Sequence, residues 1–291
     1  MLTNDSEIVV LGATGSQGGA VARHLRRSGF TNVHALVRTA DGSRARLLSE
    51  QGITLRVADL DDTESLGSAL KDAYGVFSVL PLDTRGPDAE IARGRSVAEA
   101  AARAGVQHFI YSSTGGADRS HGVAHFRTKY AVEQHVHQLG LPASIVRPSL
   151  FMENFTSFER PRLVDGVAVF RVPAHPQTPR QMIAVDDIGM VAADMFSRPG
   201  TFIGRTLEIA GDELTGPQVA ERYTHITGQP ARYEEQPIDE VRAFNPDFAA
   251  MFTWLNEEGF RADIASLRID YPQLTAFEPW LTQHTPAVMP A

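Results

Sequence analysis

Four glycines fall within eight residues of the stretch "VVLGATGSQGGAVARHL": Gly12, Gly15, Gly18 and Gly19. Glycine loses more backbone freedom on folding than any other residue, so the cluster costs stability unless something needs the room. The apolar run "EIVVL" before it reads as a buried strand. Gln17 to Ser28 after it reads as a helix with Ala20, Val21 and Leu25 inward, closed by Gly29. A glycine turn between a strand and a helix, opening a βαβ unit, is where a doubly wound sheet holds a dinucleotide pyrophosphate. Free backbone N–H groups and the helix dipole both favour an anion there. Gly12 permits the tight turn, Gly15 lets the backbone approach the phosphates, and Gly18 and Gly19 let the helix pack on the sheet. The spacing is GxxGxxG, and a tight turn without a ligand is the alternative reading.

The end of the second strand chooses between cofactors. An acid there binds the ribose 2′-hydroxyl of NAD. This strand ends "LVRTADGSR", with Arg38 in that place. An arginine fork suits the 2′-phosphate of NADP, and Arg44 stands close enough in sequence to help. A plain surface arginine is the alternative for Arg38. Asp59, after the third strand, either meets the adenine or shapes its own turn.

Of 27 lysines and arginines only two are lysines, Lys71 and Lys129. Lys71, in "ALKDAYG", reads as a solvated helix end. Lysine is a compact ammonium that loses its proton when buried, which arginine does not, so Lys129 is the one to follow. His125 stands four residues before it and shares its helix face.

The elements that must position these groups alternate regularly. Strands are expected at 7–11, 33–38, 53–60, 75–80, 106–113 and 143–148. Helices are expected at 17–28, 44–51, 63–71, 88–104 and 123–139, with Asp62 as a cap and Gly105 and Gly140 as stops. The alternation and the unbroken apolar strands predict an α/β fold with a Rossmann-type doubly wound parallel sheet. After Pro148 the pattern turns irregular, with many Phe, Pro and Arg residues up to Arg180. "MIAVDDIGMVAADMF" at 182–196 returns as strand then helix, with Asp186 or Asp187 as its cap. Strand, helix, strand and a tail of short helices follow. The expected domains are a nucleotide-binding core over 1–150, with 182–196 returning to it, and a smaller C-terminal α/β lobe over 151–181 and 197–291.

Composition narrows the partners. The chain has 291 residues, 43% of them apolar, and no cysteine, which excludes disulfides and thiol chemistry. A net charge of −8 argues against a nucleic-acid face. The N-terminus lacks the basic and apolar regions of a signal peptide, and no window suits a membrane span. A cytoplasmic protein without a metal site is expected, acting on a small molecule. Whether it forms a homo-oligomer is left open.

The glycine stretch with "LVRTADGSRARLLSEQGITLRVADLDD", and then "AYGVFSVL", "AARAGVQHFIYSS", "HFRTKYAVEQHV", "ASIVRPSLFMENF" and "MIAVDDIG", resembles the NmrA-like family, an atypical branch of the short-chain dehydrogenases/reductases. The resemblance is strong to about residue 190 and looser after. It implies a Rossmann core that binds NADP(H) and a small lobe that closes a substrate cleft over the nicotinamide. It also implies a divided family: some members are NADPH-dependent reductases of quinones and similar compounds, others are redox sensors that bind the cofactor and regulate a partner.

The wider superfamily carries Tyr-x-x-x-Lys on the helix after the fifth strand. Its tyrosine gives a proton and its lysine holds the nicotinamide ribose. Here the lysine position is Lys129 and the tyrosine position is His125. Tyr130 faces about 100° away on a helix. His125 is therefore either the proton donor, histidine being suited to that near neutral pH, or only a hydrogen-bonding neighbour of the cofactor. Beside the glycine turn (Gly12, Thr14, Gly15, Ser16, Gln17, Gly18), the expected cofactor contacts are Arg38, Asp59, Leu60, Leu80, Ser112 and Lys129. Ser112 or Ser113 touches the nicotinamide or substrate, or else caps the turn "SSTGG". Phe151, Asn154 and Phe155, with Met152 and Phe158, line an apolar substrate wall or a plain core. The expected function is NADPH-dependent hydride transfer to a quinone, carbonyl or conjugated small molecule; the alternative is an NADP(H)-responsive regulator without turnover.

Overall fold

The computed structural model describes residues 2–81, 84–120 and 122–284, and the backbone of 289 and 290. The chain divides into two compact units. The first comprises Met1–Thr114, Thr128–Arg147 and Val185–Leu207, the second Gly115–Arg127, Pro148–Ala184 and Glu208–Ala291. Residues 115–127, 148–150, 182–184 and 197–207 thus group differently from the division expected from sequence.

The first unit is built on strands β1 (Ile8–Val10), β2 (Val33–Val37), β3 (Thr54–Val57), β4 (Gly75–Ser78), β5 (His108–Ser112) and β6 (Ala143–Pro148). Helices α1 (Ser16–Arg27), α2 (Ser43–Glu50), α3 (Thr63–Leu70), α4 (Pro87–Arg103) and α5 (Ala124–Gln138), the last counted in this unit from Thr128 on, connect them in turn. The seven-stranded sheet has the order Thr206–Ile209, β6, β5, β4, β1, β2, β3. Neighbours among β1 to β6 pair in parallel, as βαβ crossovers require. Backbone bonds from Ile145 to Arg205 and from Ser149 to Ile209 advance together along both strands, the parallel sense again. Strand order reverses at β1, which has β2 on one side and β4 on the other. Such a reversal opens a crevice at the carboxyl ends of the strands.

Local chemistry sets the helix ends. The Asp62 side chain accepts the Glu64 and Ser65 N–H groups at the start of α3. Pro87 occupies the first turn of α4, and Gly105 follows that helix at φ 69°. Leu66, Leu70, Val97, Ala101, Val132 and Val136, from α3, α4 and α5, pack in one apolar cluster with the sheet. Helix α6 (Val185–Ser197) packs on α1, where a Cβ on Gly189 would stand 2.6 Å from the Ala20 carbonyl carbon. Asp186, in the first turn of α6, accepts from Arg23 and bonds His24 of α1.

The second unit holds two small sheets. Arg180–Ile183 lies between Leu150–Phe151 and Asp212–Leu214. Val167–Val172 lies between Ala231–Glu235 and Arg162–Val164, and Met289–Pro290 pairs with the latter. The irregular region after Pro148 therefore contains a hairpin. Its turn is Asp165-Gly166, at φ 49° and 78°, the pairing of positive angles that suits the right-handed twist of a two-residue hairpin. Helices Gly216–Thr227, Pro246–Glu257 and Phe277–Gln283 share apolar clusters with these sheets, and the shorter helices Ile238–Phe244 and Ile264–Asp270 complete the unit.

Candidate functional site

The glycine turn leaves β1 at Leu11, and each of its glycines stands in a different environment. Gly12 has φ 66°, and a Cβ there would lie 2.6 Å from the Val79 side chain. Gly18 is tightest: its Cβ would stand 2.4 Å from the Gly12 carbonyl carbon and oxygen. It is the point where α1 rests on the end of the strand. Gly19 is closer packed than most residues tolerate, 3.1 Å from the Ala13 oxygen. Gly15 would meet only the Gly12 oxygen, at 3.2 Å. Its missing side chain is therefore not demanded by packing as that of Gly18 is, and it caps the N-terminus of α1 without any side-chain bond. Ser16 and Gln17 begin the helix, and Gln17 Oε1 accepts from Ser112 Oγ at 2.8 Å, tying the turn to the end of β5. Ser113 Oγ, also buried, has no hydrogen-bond partner among the described residues.

Beside this turn lies a cavity of about 340 Å³. Its walls follow the carboxyl ends of four neighbouring strands: Leu11, Gly12 and Thr14 after β1, Arg38 after β2, Asp59 and Leu60 after β3, and Val79, Leu80 and Pro81 after β4. Glu90 and Arg93 of α4 complete it. Six of the sequence-derived cofactor positions, Gly12, Thr14, Arg38, Asp59, Leu60 and Leu80, thus meet at one cavity. Arg38 is exposed, and the Arg44 guanidinium reaches the Thr14 carbonyl at 3.5 Å. Asp59 lines the cavity and also shapes its own turn, accepting the Asp61 N–H at 3.0 Å. Arg93 and Arg85 converge on Asp61, and their hydrogen bonds hold that carboxyl well below the usual carboxylate range.

Lys129 reaches this wall from α5. Its Nζ donates to the Leu80 carbonyl at 2.6 Å and pairs with Glu90 Oε1 at 2.9 Å. Both partners line the cavity. Burial lowers the Lys129 pKa, and the Glu90 charge opposes that shift. An ammonium has three donors; among the described residues two of them meet the Leu80 carbonyl and Glu90, which leaves one. Glu90 also accepts from Thr128 Oγ1 at 3.0 Å. The sequence reading had not singled out Glu90. The signal was present: Glu90, Gly94, Val97 and Ala101 fall at helical spacing and are all buried, and a carboxylate on such a stripe needs a cation.

His125 belongs to the second unit. Its Nδ1 lies 2.5 Å from Asp247 Oδ2, and the same carboxylate accepts the Ala124 N–H at 2.6 Å. The hydrogen bond from His125 is the main cause that holds the Asp247 carboxyl below its ordinary pKa. Asp247 was not foreseen, because in sequence it is one acid at the start of a short tail helix.

The apolar segment divides. Phe155, 3% exposed, packs edge-on against Phe170 and Phe277, and Met152 is buried in the same cluster. Phe151 and Asn154 are half-buried, and Phe158 is 57% exposed. No group of three or more metal-ligating side chains occurs among the described residues.

The profile of the NmrA-like family matches residues 4–278. The chain belongs to the NmrA-like family. This NmrA-like chain is 29% identical over 236 residues to an NAD(P)H azoreductase of Xenophilus azovorans, spanning 81% of this chain and 79% of the relative. An NADPH-dependent quinone oxidoreductase of Escherichia coli, solved with NADPH, superposes with a TM-score of 0.81 at 24% identity, over 96% of this chain and 99% of that one. NmrA, described as a negative transcriptional regulator and solved with NADP, gives 0.81 at 22%, over 96% and 95%. At these identities the two structures speak for the fold of the NmrA-like chain. Among the described residues no helix is long and apolar enough to cross a membrane.

Proposed function

We propose that the chain is an NADPH-dependent oxidoreductase that delivers hydride to a quinone, a carbonyl compound or another conjugated small molecule. The observation that carries this reading is the cavity at the sheet's reversal point, with the glycine turn on one side and Arg38 on the other. The residues present fit a dinucleotide phosphate: a Cβ would fill the cradle at Gly12 and Gly18, and Arg38 offers a cation where an NAD site carries an acid. The Gly15 N–H is taken by the Gly12 carbonyl at 2.8 Å, so the backbone N–H groups from Ser16 onward, in the first turn of α1, would receive the pyrophosphate. Arg38 takes the 2′-phosphate. Lys129, steadied by Glu90 and Leu80, keeps one N–H for a ribose hydroxyl. NADPH, when bound, supplies the hydride, and the chain supplies binding and orientation. His125, anchored by Asp247, is the proton source for a substrate oxygen that gains negative charge. The relatives named as azoreductase and quinone oxidoreductase support the reductase reading.

A second reading is favoured by one observation: His125 stands where the superfamily has its catalytic tyrosine. On that reading the chain is an NADP(H)-responsive regulator, as the description of NmrA suggests. The test is NADPH oxidation across a panel of quinones, ketones and enones, beside pull-downs made with NADPH and with NADP⁺. Turnover of one compound class supports the reductase. No turnover, together with partner capture that depends on the cofactor form, replaces it with the sensor.

A further inference from the structure

The second unit carries its own cavity of about 340 Å³, walled by aromatic rings and arginines. Its floor is one face of the small four-stranded sheet. Arg162 pairs in register with Val169, and Arg171 lies two residues further along the same strand, so all three project to one side. One wall is helical. Phe248 and Phe252 stand one turn apart on Pro246–Glu257, and Phe158 meets Phe248 edge-on at 5.2 Å, as Phe248 meets Phe252. Phe158 and Phe244, both lining this cavity, are 57% and 71% exposed. Exposed rings gathered at one cavity, unlike apolar side chains scattered singly over a surface, mark a contact site.

The charges are unbalanced. Arg171 is paired with Glu234 and Glu240, and Glu159 with the buried Arg180. Arg160 donates only to the Thr156 carbonyl, and neither it nor Arg162 has a carboxylate partner among the described residues. Among the described residues two guanidinium charges therefore remain without a carboxylate at one aromatic cavity, in a chain whose net charge is −8. Rings offer stacking and edge contacts to a planar ligand. Guanidinium groups offer forked donors to a carboxylate or sulfonate and stack on flat faces. The volume sits at the low end for small-molecule sites, which suits one or two fused rings.

We propose that this cavity is a binding site for a small planar aromatic anion, an aromatic carboxylate or sulfonate. The site lies wholly within the second unit and does not depend on the cofactor reading. The experiment is calorimetric titration of the full chain with 2-naphthalenesulfonate, and with 2-naphthalenemethanol as its neutral counterpart, on the wild type, Arg162→Gln and Phe244→Ala. NADPH titration of each variant checks that the chain is intact. The expected result is saturable binding of the sulfonate, about tenfold weaker binding of the alcohol, and a loss of about tenfold with Arg162→Gln, as removal of a charge-assisted contact gives. Phe244→Ala weakens both probes. No saturable binding of the sulfonate overturns the proposal. So does equal affinity for the alcohol, which marks an apolar pocket, or an unchanged affinity in Arg162→Gln. A wild type that fails to bind NADPH but binds the sulfonate sinks the cofactor reading and leaves this one standing.

Discussion

Lys129 Nζ lies 2.9 Å from Glu90 Oε1, and the two residues are only 9% and 3% exposed. Removing one member of a buried pair strands the other charge, whereas replacing both by apolar groups is often close to neutral. Lys129→Met should therefore destabilise the chain by about 3–5 kcal/mol in urea unfolding. The double variant Lys129→Met with Glu90→Leu should regain most of that loss and still bind NADPH weakly. A single variant as stable as the wild type would show that the pair is not carrying charge.

The glycines separate packing from ligand contact. Gly18→Ala forces a methyl to within 2.4 Å of the Gly12 backbone, which cannot give way as a side chain can. It should cost about 1–3 kcal/mol of stability and abolish cofactor binding. Gly15→Ala meets only one oxygen at 3.2 Å, so the fold should hold while NADPH affinity falls. If thermal melts and NADPH titrations rank the two variants alike, Gly15 has no separate role at the phosphates.

His108 supplies a pH dependence. It is fully buried, bonded to Ser144 at 2.8 Å, and burial lowers its pKa to about 4. The unfolded chain, with a histidine pKa near 6.5, binds a proton before the folded chain does. Stability is therefore complete above about pH 6.5 and declines as pH falls toward 4 and below. The loss attributable to this one group approaches about 3 kcal/mol. His108→Gln, weaker at pH 7, should show a flatter decline in denaturant melts over that range. An identical slope in both would place the acid sensitivity elsewhere.

His125 and Asp247 form a short contact at 2.5 Å. With an accepted substrate, His125→Phe should slow turnover by about 10²–10⁴-fold and leave NADPH affinity intact, as loss of a general acid does. Asp247→Asn keeps an acceptor for the Ala124 N–H but removes the charge behind the imidazole, and should give a smaller loss with an altered pH–rate profile. Unchanged turnover in His125→Phe would mean that the proton comes from water or another group.

Much of the first unit was legible because each element carries several agreeing signals. Buried parallel strands read as unbroken apolar runs, as in "EIVVL" and "VHALVR", and Gly29, Gly105 and Gly140 mark the helix ends at positive φ. The glycine turn and the residue after the second strand are local in sequence, so Gly12, Gly18 and Arg38 could be placed from the sequence alone. The second unit was harder. Its strands are about as short as those of the first unit but do not alternate regularly with helices, so no repeating pattern declares them. Its hairpin was announced only by Asp165-Gly166, inside a run of Phe, Pro and Arg. Glu90 and Asp247 owe their roles to partners 39 and 122 residues away, Lys129 and His125, a distance no local pattern encodes.

The most direct measurement is the affinity of the wild type and of Arg38→Ala for NADPH and NADH. With arginine in place of the acid after β2, the wild type should prefer NADPH by more than about tenfold, the worth of a charge-assisted bond to the 2′-phosphate. Arg38→Ala should lose that preference while NADH binding stays the same. Equal wild-type affinities for the two cofactors, or no binding of either, would contradict the account.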